Sequence, residues 1–168
     1  METLVAKNEV RDATLPIAVG FTDDTFDGEV ELSATEKSDG DAYQLLNAEK
    51  GDFKNTLYDI AILQNGDKVQ PNGPVLMHIA LPEGYDPAKT IVYYVSEDGS
   101  LLNMNAEYRD GKMWFETTRF GAYALVDESE ANNSEEGCQS LNEFMEFIHK
   151  IFAFLMRLKQ LLQEFLSI

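Results

Sequence analysis

The side chains that could carry chemistry in this chain are few and scattered. Asp23, Asp24 and Asp27, followed by Gly28, are the place where carboxylates crowd one short loop. Hard cations such as Ca²⁺ take six or more oxygens, so this loop is a weak candidate calcium site. Its spacing fits no EF-hand, and a solvated turn is the simpler account. The two histidines, His78 and His149, stand far apart in sequence, and the single cysteine, Cys138, is close to neither in a way that makes a nucleophile–base set. A zinc site would want more nitrogen and sulfur ligands than these. No glycine-rich phosphate loop occurs. The chain reads as non-catalytic, with no cofactor assigned. Trp114, Phe115, Tyr93, Tyr94 and Tyr108 could form a carbohydrate platform, but strand alternation must send about half of them inward and makes Trp114 or Phe115 a core residue. The same alternation sets His78 opposite Val75, Met77, Ile79 and Leu81, on a solvent face or in a cross-strand pair.

The elements that must position these groups fall into two parts. Between Thr14 and Val126, β-type runs at 15–21, 29–34, 57–63, 75–81, 90–96, 101–108, 112–118 and 121–126 are separated by residues that favour turns. Asn65-Gly66 and Asp110-Gly111 are hairpin signals, the second for a type I′ turn. Spacing of roughly 8–12 residues predicts a mainly β chain: an antiparallel, Ig-like sandwich of about seven or eight strands over residues 1–126. An α/β fold would need crossover helices for which there is no room. Residues 42–48 are the one ambiguous helical stretch, and the first dozen residues carry no signal that decides whether they join a sheet.

Net charge is −17, and it is unevenly spread. Residues 1–126 hold 22 acids and 10 bases, residues 127–139 five acids and no base, and the last 29 residues three of each. Such a chain repels nucleic acid, whose binding needs clustered Lys and Arg, and it does not dock on anionic lipid by charge alone. The polar stretch 127–140 reads as an acidic linker. Cys138 within it forms no intrachain disulfide.

From 141 the hydrophobic period changes to that of an amphipathic helix. With Leu141 at heptad position a, the a and d positions are Leu141, Phe144, Ile148, Ile151, Leu155, Leu158, Leu162 and Phe165. Position g adds Phe147, Phe154, Leu161 and Ile168, and His149 falls on the polar face. Ser140 with Glu143 makes a capping box. An apolar face this wide would exceed what a solitary helix exposes to water. It therefore calls for a partner: copies of itself in a homo-oligomer, another protein, a membrane interface, or its own sandwich. The residues after Met1 show no basic stretch followed by an apolar one, so no signal peptide is expected within them, and no run is long enough to span a bilayer.

Three stretches carry a likeness to a known family: Tyr58-Asp59-Ile60 through Asn65-Gly66 to Gly73; residues 75–84 with Ile91–Val95 and Asp98-Gly99; and Asp110-Gly111 through 115–118 to Arg119-Phe120-Gly121-Ala122-Tyr123-Ala124-Leu125. Together they resemble Ig-like or ZU5-like β-sandwich modules of cell-surface and secreted proteins of Gram-positive bacteria, especially Clostridia. Arg119 and Gly121 stand where that family usually has His and Ser. The resemblance implies a stalk, spacer or adhesion unit at the cell surface or outside the cell. Read from the residues alone, Phe120 and Tyr123 enter the core around a Gly-Ala pair, with the Tyr123 hydroxyl either bonded to nearby backbone as in a tyrosine corner or simply packed. The functional expectation is a structural or adhesion module whose last helix assembles chains.

Overall fold

The computed structural model describes residues 6–131. The stretch 132–140 and the helix expected over 141–168, with every residue assigned to its self-associating face, lie outside the described residues. Within them, alternation of apolar and polar side chains builds two antiparallel sheets that share one core. The strands are β1 (Asn8–Arg11), β2 (Ile17–Phe21), β3 (Glu31–Lys37), β4 (Phe53–Gln64), β5 (Asp67–Val69), β6 (Val75–Ala80), β7 (Thr90–Val95), β8 (Leu101–Asn103), β9 (Glu107–Arg109), β10 (Lys112–Thr117) and β11 (Gly121–Ala131). The first sheet has the order β1-β2-β6-β10-β9, and the second β3-β4-β11-β7-β8 with β5 paired to β4. Ile17, Val19, Met77, Ile79, Met113 and Phe115 from the first sheet meet Leu32, Ile60, Ile62, Val92, Tyr123 and Leu125 from the second. Each such side chain contributes on the order of 1.5–3 kcal/mol by leaving water.

Eleven strands among the described residues exceed the seven or eight expected, for local reasons. The first dozen residues do join a sheet, as β1. Asn65 and Gly66 both take positive φ (53° and 89°), so the hairpin returns along β4 as β5. The run 101–108 divides: β8 pairs with β7 and β9 with β10, so this segment crosses from one sheet to the other. Asp110 and Gly111, at φ 50° and 79°, form the expected tight turn.

The ambiguous stretch at 42–48 is a helix, α1 (Asp41–Lys50), with an acid in its first turn and a lysine in its last. Its Leu46 is wholly buried and packs with Leu57, Val95, Ala124 and Val126 on the outer face of the second sheet. The last strand departs further from expectation. β11 runs to Ala131, so residues 127–131 are sheet and not linker. Composition misleads here because the two acids have partners. Asp127 is buried and accepts the backbone N–H of Asp86 (2.9 Å) and of Ser129 (3.0 Å). Glu128 binds Lys50 Nζ at 2.6 Å and the Tyr93 hydroxyl at 3.1 Å.

Candidate functional site

Strand parity places Glu9, Ala18, Leu76, His78, Lys112 and Trp114 on the outer face of the first sheet, and it is there that the sequence reading of His78 changes. The residue is on the outward face, as expected, yet its side chain is only 3% exposed. The cover comes from neighbouring strands. Trp114 of β10, its cross-strand partner, lies with ring centroids 4.3 Å away. Glu9 of β1 brings Oε2 to 3.5 Å from Nε2 while its other oxygen binds Arg11 at 2.6 Å. Neither ring nitrogen has a hydrogen-bond partner among the described residues. Burial pushes the His78 pKa down, Lys112 adds to that, and Glu9 opposes it. The imidazole is thus neutral at pH 7. Around Trp114 the chain sets cations: the Arg109 guanidinium lies 5.2 Å and the Lys112 ammonium 5.8 Å from the ring centroid. Arg109 also takes the indole N–H on its carbonyl.

The acidic loop lies elsewhere. Asp23 and Asp27 line an open cleft of about 820 Å³ beside β1, together with Glu9, Glu29, Phe21 and Phe26. Asp24 is not among its lining residues. The Asp23 carboxylate is occupied by the Asn8 amide (2.8 Å) and the Lys7 ammonium (3.2 Å), and these bonds hold its pKa below the usual range. Among the described residues no three His, Cys, Asp or Glu side chains gather as a metal site. A second hollow of about 350 Å³ lies by the first turns of α1, lined by Asp41, Leu45, Asp59, Tyr94, Glu97 and Gly121 among others. Gly121 has φ 152°, and a Cβ there would meet the Tyr94 ring at 3.3 Å.

The aromatic residues do not share a platform. Phe115 is in the core, Tyr94 packs against it, and Tyr93 lies with the cluster under α1. Trp114 is on the opposite sheet from Tyr93, and Tyr108 is exposed on edge strand β9. Tyr123 does behave as a tyrosine corner: its hydroxyl donates to the Arg119 carbonyl at 2.6 Å and meets the Thr117 hydroxyl at 2.8 Å. Burial pushes its pKa up to about 12.

The most heavily engaged carboxylates all hold the framework. Asp12 accepts the N–H groups of Thr14, Leu15 and Ala34, each at 2.8 Å, and so ties the β1–β2 turn to β3 of the other sheet. Burial opposes its ionisation, but these bonds outweigh it and hold the carboxyl below its ordinary pKa. Asp127 has the same balance, with burial pushing upward and the backbone bonds from Asp86 and Ser129 prevailing. The sequence reading missed both residues. An Asx-type signal at Asp12-Ala-Thr-Leu was present, whereas Asp86 is too distant from Asp127 for any local pattern. Among the described residues no helix is long and apolar enough to cross a membrane. Neither a family model nor a curated protein matches this chain.

Proposed function

We propose that this chain is a non-catalytic structural or adhesion-type module, Ig-like in its sandwich, belonging to a bacterial surface or secreted protein, and that residues 141–168 mediate its self-association. The observation that carries the first half is the use of its polar groups. Asp12, Asp127, Glu128 and Tyr123 each tie a turn or helix to a strand, and Asp23, which does line the open cleft, is committed to Lys7 and Asn8. A group set for acid–base work keeps a proton-transfer partner in a cleft; these are enclosed by their own framework. The second half rests on the sequence, where a, d and g positions are apolar through four heptads. Each buried Leu, Ile or Phe contributes on the order of 1.5–3 kcal/mol, enough in sum to offset association entropy.

The test replaces Ile148, Ile151 and Leu155 together with Asp in the full chain. Light-scattering mass is expected to fall to that of one chain, with the fluorescence of Trp114 in the sandwich unchanged. A variant with the mass of the parent would remove the assembly role from this segment.

A further inference from the structure

His78 is enclosed without a hydrogen bond on the outer face of the first sheet, two strands in from edge strand β1. The Glu9 side chain of β1 reaches across β2 to it, and this points to a conformational device. β1 is four residues long, pairs only with β2, and has three of its four residues exposed. Its N-terminal approach lies close against the same face, since a Cβ on Gly20 would meet that of Ala6 at 2.7 Å. Its far end is fixed, because Asp12 clamps the turn that follows. Its near end is held by exposed polar contacts, Asn8 and Lys7 to Asp23, and an edge strand with mostly exposed residues is drawn from the less costly parts of a sandwich to open.

We propose that β1 is an acid-released latch, in which protonation of His78 favours a state with β1 lifted from β2 about the Asp12 turn. The charged groups around the imidazole decide the direction. From β1 come Glu9 and Arg11, and from β10 Lys112, with Glu116 one pair further along that face; β2 offers only Ala18 opposite the ring. Glu9 alone attracts an imidazolium strongly, and it is already shared with Arg11. Desolvation, Lys112 and Arg11 disfavour the charged ring in the closed state; lifting β1 relieves the enclosure on the Glu9 side and removes Arg11, while Lys112 on β10 acts in both states. The open state therefore binds the proton more readily, and the closed state loses ground as pH falls below about 6.5, the value of an exposed histidine. Lifting β1 bares the backbone edge of β2, whose five residues are all buried in the closed form.

Hydrogen exchange of the full chain at pH 7.5 and 5.0, corrected for intrinsic rates, tests the latch through the β1 amides and that of Lys7, which donates to Phe21 at 3.0 Å. Linkage through one histidine sets a ceiling of about thirtyfold on the rise in opening between these pH values, and a rise above about twofold is expected. His78→Phe should abolish the rise. Glu9→Gln, on an exposed strand, should enlarge the ratio between the two pH values, because it removes the one attraction the charged ring has in the closed state. His149→Gln should leave the ratio unchanged. A rise below twofold in the parent chain, or an equal rise in His78→Phe, or a smaller ratio in Glu9→Gln, overturns the proposal.

Discussion

Replacing Asp127 with Ala perturbs the strand that composition disguises. In the native chain its carboxylate receives the N–H of Asp86, which opens the turn leading into β7; the Asp86 carbonyl in turn accepts from Thr90 N–H (2.9 Å) and the Thr90 hydroxyl (2.7 Å). A hydrogen bond to a charged group contributes about 1.5–3 kcal/mol. Ser129, the second donor, is exposed and turns to water in the variant, so the Asp86 bond dominates. The expected loss is about 2–3 kcal/mol at pH 7. At roughly 2.1 cal/mol/K per residue of unfolding entropy, a domain of about 130 residues should then melt about 7–11 °C lower. Asp127→Asn keeps a neutral acceptor and should lose only about 1 kcal/mol. Because the folded carboxyl titrates below its unfolded value of about 3.9, its stabilisation is present above that pH and is lost as pH falls through the folded pKa. The gap between Asp127→Ala and the parent should accordingly close in acid. Urea unfolding read by Trp114, the chain's one tryptophan, follows the sandwich directly. A loss below about 0.5 kcal/mol at pH 7, or a gap that persists undiminished at pH 2.5, would refute this account of β11.

Leu46→Ala should cost about 2–4 kcal/mol, since the side chain is fully buried between α1 and the second sheet; equilibrium unfolding checks it. Lys50→Met should cost about 1 kcal/mol, since it removes the partner of Glu128 while leaving apolar contact with Phe53 and Tyr93, and the difference should shrink in high salt when unfolding is repeated there. Tyr58 and Tyr123 are both pushed to about 12 by burial, so an absorbance titration should leave at least two of the seven tyrosines mainly un-ionised at pH 11 while the chain stays folded. Tyr123→Phe should destabilise by about 1–2 kcal/mol in thermal unfolding, because the Arg119 carbonyl and Thr117 hydroxyl lose a shared partner.

Much of the sandwich was legible because its signals are local. Asn65-Gly66 and Asp110-Gly111 mark turns through backbone conformations that few residues accept, and parity at Trp114-Phe115 separates an outer ring from a core ring. What escaped depends on distant partners. β1 is mostly polar, and its place in the sheet comes from backbone pairing with β2 rather than from an apolar face. The helix at 41–50 has a weak apolar period and gains its stability from the surface under Leu46. Asp127 and Glu128 look like linker residues until Asp86, Lys50 and Tyr93 are brought beside them. His78 was placed on the correct face, but its cover arrives from Glu9 and Trp114, far off in the chain. The acidic loop shows the converse: Asp23 and Asp27 do come to one cleft, with Asp23 committed to Lys7 and Asn8.

The proposal that this is an assembling structural module is tested most directly by the mass of the full chain in solution, measured by light scattering across a hundredfold range of concentration. A discrete species of two or more chains, each of 18.9 kDa, that persists on dilution is expected. A mass of one chain at every concentration would contradict it.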